Sequence, residues 1–170
     1  LVDKNRITAQ TLFPPLKDAA KAPQPFITAP GSGYDSHHSY PGGLVTHVIN
    51  NVTIVQGIYN SYSDIFSNNL NYDMAVGGEL MHDIAKPWVF QWRQDGSSLV
   101  ELTLAQTGTH HIFSIAETIY RGFPAELIVA QACAHDHPGS PADEALVVGW
   151  IKAAAYIAGK DPVKLGLLSA

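Results

Sequence analysis

The chain has 170 residues, 46% of them hydrophobic and 15% charged, a formal net charge of −5 and eight histidines. That profile fits one compact domain able to bury a core and excludes a disordered segment. Ten scattered lysines and arginines exclude a broad surface for long nucleic acids, and the single cysteine, Cys133, excludes a disulfide scaffold or a thiolate zinc ribbon.

Residues 1–43 hold six prolines together with Gly31, Gly33, Gly42 and Gly43, and are read as an ordered wrapping arm without long helices. Residues 44–170 are read as the helical domain proper. Leu44, Val45, Val48, Ile49, Val52, Val55 and Tyr59 share one side of a first helix, with His47 and Asn51 on its flank. A second helix is expected over Asp73 to Lys86, stopped by Pro87 and carrying His82 and Asp83. Two short runs, Trp88 to Trp92 and Leu99 to Thr103, flank an Asp95-Gly96 turn signal and predict a small hairpin. Thr109 opens a third helix reaching Tyr120, and Pro124 a fourth reaching about His135. Ser140, Pro141 and Asp143 begin a fifth that runs to the stop signal at Gly159. The expected fold is therefore all-α, five or more helices with one β-hairpin and a Pro/Gly-rich N-terminal arm.

The best apolar run, from Ala145, is broken by Lys152, short of the roughly 18 residues of a membrane span. No basic segment followed by an apolar stretch marks a secretory leader, so a soluble, cytoplasmic protein is expected. The chain begins with Leu1, as a trimmed chain or part of a longer protein would.

The histidines fall in five tight places: His37/His38, His47, His82, His110/His111 and His135/His137. Imidazole is a common ligand for transition metals, and an adjacent carboxylate can bridge two ions or hold the bound water. His82 and Asp83 offer both groups in neighbouring positions. Neighbours on a helix point about 100° apart, so an ion touched by both must sit in a groove where other helices supply the remaining ligands.

The run His38-Ser-Tyr-Pro-Gly-Gly-Leu-Val-Thr-His47, followed by Leu80-Met-His-Asp-Ile-Ala-Lys86, resembles the HD superfamily of metal-dependent phosphohydrolases. The resemblance spans roughly Tyr34 to Gly159 and implies an all-helical core whose ligands run in the order His47, His82-Asp83, His111, then His135 or His137. The segment Gly108 to Glu117 is similar to the helix that donates an extra histidine in members with two metals, with His111 better aligned than His110. The family's last aspartate sits in a stretch like Ala-Asp-Tyr-Ile, where this chain reads Ala154-Ala155-Tyr156-Ile157. Ala155 therefore marks a missing-ligand position, and metal binding is expected to be weaker than at a complete site.

The activity implied is hydrolysis of a small phosphate ester such as a nucleotide. One or two divalent ions, manganese, iron, cobalt, nickel or zinc, would acidify a water, Asp83 would bind and orient it, and Lys86 would meet the phosphate. His38 and Tyr40 either line the mouth of the site or lie in a solvated loop, and Lys86 has the alternative of a surface lysine at a helix C-terminus. Trp88, Trp92 and Arg93 form part of a lid or simply pack. Two further readings stay open: a di-iron oxygenase of the same superfamily, and a degenerate domain, marked by Ala155, that binds a ligand or partner.

Overall fold

The computed structural model describes residues 23–67, 69–93 and 95–169. The part of the expected arm before residue 23 lies outside the described residues. The described chain forms two compact units, one from the stretch up to Ile49 with Lys86–Glu101, the other from Asn50–Ala85 with the stretch from Leu102 onward. The fold is all-α: helices α1 (Gly43–Phe66), α2 (Tyr72–Met81), α3 (Lys86–Val89), α4 (Thr109–Arg121), α5 (Ala125–Ala132) and α6 (Pro141–Ala158), with an antiparallel pair β1 (Thr103–Leu104) and β2 (Thr107–Gly108). No helix among the described residues is long and apolar enough to cross a membrane.

In the second unit the helix ends follow local chemistry. The Asn71 side chain accepts from Met74 N–H at 3.2 Å and starts α2. Ser140 does the same for α6, accepting from Asp143 N–H at 3.3 Å. Gly122 and Gly159 end α4 and α6 with φ of +74° and +65°, a conformation glycine adopts at no steric cost. The core is a stripe of Ile112, Ile115 and Ile119 on α4, met by Ile128 and Ala132 of α5 and by Val147, Trp150, Ile151, Ala154 and Ala155 of α6. Helices α2 and α5 approach closely at Gly78, where a Cβ would stand 3.0 Å from the Ala130 Cβ.

The second helix stops five residues before its expected end. Gln131 Nε2 donates to the Met81 carbonyl at 2.8 Å, and Ala85 N–H donates to Ser114 Oγ at 3.1 Å. Those bonds satisfy backbone groups that would otherwise need another helical turn. Residues 82–85 therefore form turns pinned to α4 and α5.

The first unit is held by backbone bonds from a 3-10 turn at Phe26–Thr28 and the loop that follows. Gly31 N–H donates to the His38 carbonyl at 2.8 Å, and Leu44 N–H to the Ala29 carbonyl at 3.1 Å. Trp92 Nε1 donates to the Thr28 carbonyl at 2.8 Å, so this tryptophan packs instead of hanging free as part of a lid. Trp88 is 47% exposed.

The hairpin lies in a different place from the one expected. Around Asp95 and Gly96 only a single bridge forms, Trp92 to Ser98, and Trp88 and Val89 belong to α3. The two-stranded sheet is closed instead by Ala105 and Gln106, both in the left-handed region with φ of +51° and +66°. Neither residue is a usual choice there. Trp150 Nε1 donates to the Ala105 carbonyl at 2.9 Å, and Thr109 Oγ1 to the Leu102 carbonyl, so contacts from outside the turn hold it.

Candidate metal centre

The pinned turn after α2 presents His82 and Asp83, 4% and 1% exposed respectively. The His82 Nδ1 donates its proton to the Glu79 carbonyl, with the Glu79 carboxylate 3.3 Å from the same nitrogen. That bond occupies Nδ1 and turns Nε2 toward Asp83 Oδ2, 3.0 Å away, where a protonated Nε2 donates to the carboxylate and a deprotonated one offers its lone pair to a cation. Burial is the largest influence on the His82 pKa and pulls it down. The hydrogen bond and charge of Asp83, with the charge of Glu79, outweigh it and raise the pKa above the ordinary value.

The other carboxylate oxygen faces a second group of imidazoles. His110 Nε2, from the first turn of α4, stands 3.3 Å from Asp83 Oδ1, and His135 Nε2, just beyond α5, stands 3.9 Å from it. The two imidazole nitrogens are 3.0 Å from each other. Two donors about 2.1 Å from one ion, at angles of about 90° to 110°, sit about 3.0 to 3.4 Å apart; the separations of 3.0 and 3.3 Å match that spacing, and the third, 3.9 Å, is wider. Burial, followed by the neighbouring His111, holds the His135 pKa down to about 2, so its imidazole is neutral and its lone pair is available. The donor set fits a divalent transition ion.

His111 sits elsewhere. It is fully buried, its ring edge-on to Trp150 at 4.7 Å between centres, with Nδ1 3.5 Å from Thr107 Oγ1. Its Nε2 is buried without a hydrogen-bond partner, and its ring centre is 4.2 Å from that of His135. Burial first, then the charge of His110, lowers its pKa to about 4. Of the adjacent pair, His110 is therefore the one grouped with Asp83 and His135, while His111 backs them from the core side. Neither His110 as a donor nor Glu79 as the partner fixing His82 was singled out from the sequence. The doubled histidine was the signal for the first, and a carboxylate three residues before His82 was the only one for the second.

His137 has a side chain 88% exposed, with Nδ1 3.8 Å from Asp136 Oδ1, and it joins no histidine cluster among the described residues. Ala155 is fully buried in the α4–α5–α6 core. In the first unit Lys86 is 3% exposed and its ammonium donates to the Gly31 carbonyl at 2.5 Å, so it is not a surface lysine. His47 lies near His37 and His38, and Tyr40, 47% exposed, lies edge-on to His38 at 6.1 Å between ring centres.

The chain is 33% identical over 109 residues to a dihydroneopterin 2',3'-cyclic phosphate phosphodiesterase of Methanocaldococcus jannaschii. The match covers 59% of this chain and 40% of that enzyme, so the chain spans well under half of the relative's length. No family model matches the chain, and no solved structure does.

Proposed function

We propose that this chain is a metal-dependent phosphohydrolase of the HD type, acting on a small phosphate ester. The observation that carries the reading is the Asp83 carboxylate, buried with one oxygen toward His82 Nε2 and the other toward His110 and His135. The cyclic phosphodiester named for the relative supports a small diester as the substrate class, and the chain's net charge of −5 weighs against a polyanionic one.

Asp83, His110 and His135 would hold a divalent transition ion, with His82 on the far carboxylate oxygen, and such an ion would supply an acidified water and positive charge to the reaction. The protein's own residues do the rest. Glu79 keeps the Nδ1 proton of His82 in place, so Nε2 stays a donor to metal and not to solvent. Asp83 accepts a hydrogen bond from the attacking water and directs its oxygen at phosphorus. The water gives up a proton to Asp83 as the new P–O bond forms, the ester P–O bond opposite breaks, and the departing alkoxide takes up that proton. His47 and Lys86 enter this proposal from the sequence pattern, as a further ligand and as the cation for the phosphate. His38 and Tyr40 enter as substrate-side residues, and Ala155 as the position of a lost carboxylate ligand.

The test is hydrolysis of bis(p-nitrophenyl) phosphate and of a 2',3'-cyclic nucleotide by chelator-stripped protein reloaded with manganese, iron, cobalt, nickel or zinc in turn. Metal-dependent ester cleavage, abolished in Asp83→Asn, is expected. Absence of cleavage with every ion, or oxygen consumption in place of it, would overturn the reading.

A further inference from the structure

From Asn50 to Phe66 helix α1 lies in the second unit, and none of these residues is buried. One side of the segment is fastened to the start of α2. Gln56 Nε2 donates to the Tyr72 hydroxyl at 2.8 Å, and the Tyr59 and Tyr72 rings meet edge-on, 5.0 Å between centres. The other side carries Ile54, Ile58, Tyr62, Ile65 and Phe66, each 45% to 69% exposed. At 100° per residue these five form one stripe about 120° wide. At about 200 Å² per large side chain, such exposure leaves about 550 Å² of mostly apolar surface in a single patch, at the upper end of what a monomer shows.

The same segment is a poor helix former. Between Asn50 and Phe66 only Gln56 belongs to the residue types that favour a helix; the others are β-branched or aromatic, or are Asn, Ser, Asp or Gly. A helix of that composition is held by packing and not by propensity. The contacts with α2 cover one side, so the stripe is where further packing is to be found.

We infer that this stripe docks on the same stripe of a second copy of the chain, running antiparallel, and so forms a homodimer. Ile54 and Ile65 are disposed about nearly the same midpoint, next to Asn60, as Ile58 and Tyr62. The stripe therefore reads almost the same from either end. A reversed copy sets Ile54 against Ile65 and Ile58 against Tyr62, the self-complementarity a two-fold interface requires. A lipid surface would call for basic residues beside the stripe and an unlike partner for complementary charge, but α1 holds no lysine, arginine or glutamate and a single aspartate, Asp64. Reversed pairing sets the two Asp64 carboxylates about 13 Å apart along the axis, beyond a Debye length of about 8 Å, whereas parallel pairing sets them level. With exposed Asn50, Asn60 and Ser61 as a polar rim, the covered area approaches the roughly 800 Å² per partner of a stable interface.

The experiment is analytical ultracentrifugation of the whole chain at about 1 to 100 μM, comparing wild type with Ile58→Lys, with Tyr62→Glu and with Tyr156→Lys, a control at an 87% exposed aromatic on α6. Wild type and the control should dimerise alike, and each stripe variant should raise the dissociation constant at least about tenfold. An equimolar mixture of Ile58→Lys and Tyr62→Glu should recover the dimer, because the new ammonium and carboxylate face each other across a reversed pair. If a charged variant fails to fold, Ile54→Gln/Ile65→Gln takes its place with the same expected loss of dimer. A wild type that stays monomeric throughout would overturn the inference, as would folded stripe variants that dimerise as tightly as wild type. Monomeric wild type that floats with phosphatidylcholine vesicles would make the stripe a lipid-facing surface instead. Two dissociated variants whose mixture stays monomeric would overturn the reversed pairing.

Discussion

The Nε2 atoms of His110 and His135 stand 3.0 Å apart, although 25 residues separate them and each comes from the end of a different helix. Two imidazole nitrogens at that distance share at most one hydrogen bond, and both also face Asp83 Oδ1. A cation satisfies all three atoms at once. His110→Ala and His135→Ala should therefore each lower metal affinity about 10- to 100-fold or more, with little change in helical content. His82→Ala and Asp83→Ala should strip the metal in the same way. His111→Ala should chiefly cost stability, since the ring packs against Trp150 and touches no solvent. Metal content by plasma mass spectrometry, beside thermal melts, separates the two patterns; metal lost from His111→Ala alone would reverse the assignment.

In the metal-free protein the buried imidazoles should make stability depend on pH. The His111 pKa is lowered from 6.5 to about 4, so between those values the unfolded chain binds a proton that the folded chain rejects. Stability is then greatest above the unfolded value and is lost as pH falls from about 6.5 toward 4. For this residue alone the loss between pH 7 and pH 5 is about 2 kcal/mol. His135 acts in the same direction, and His82, whose pKa is raised, opposes it. Urea midpoints measured in chelator at pH 7 and pH 5 should fall with acid, and His111→Gln should flatten that slope. An unchanged slope would mean that His111 is protonated in the native state.

Two glycines of α1 should respond oppositely to alanine. At Gly43 a Cβ would stand 1.8 Å from the His38 carbonyl oxygen, so backbone must move, whereas at Gly57 nothing lies within 4 Å. Gly57→Ala should stabilise by about 0.5 to 1 kcal/mol through helix propensity. Gly43→Ala should destabilise by several times that amount. Denaturant melts of the two variants side by side provide the comparison.

What could be read from the sequence was local. Asn71, Ser140, Gly122 and Gly159 act on their own helix ends, and the starts and stops of α4 and α6 follow from such residues within a few positions. The Ala105-Gln106 turn was hidden because its positive φ values are sustained by Trp150, 45 residues away, and not by turn-forming side chains. The end of α2 was hidden for the same reason, since Gln131 and Ser114 replace its last hydrogen bonds. The clustering of histidines was visible. Which of His110 and His111 faces Asp83 was not, because adjacent residues differ by about 100° and the roll of α4 is set by how Ile112, Ile115 and Ile119 seat in the core.

Ala155 offers the sharpest test of the resemblance that first marked the site. Its methyl group is fully buried in the α4–α5–α6 core, where a carboxylate without a partner is costly. Metal-free Ala155→Asp should accordingly melt about 5 to 10 °C below wild type, the shift of a loss of about 2 to 4 kcal/mol in a chain of this size. If residue 155 is the lost ligand position, added manganese, iron or zinc should raise the melting temperature of the variant more than that of wild type, because the new carboxylate contributes to binding in the folded state alone. Metal affinity should rise at least tenfold in a direct titration. Equal metal-induced shifts in the two proteins would show that a carboxylate at 155 is merely a buried charge, and would remove this position from the metal site.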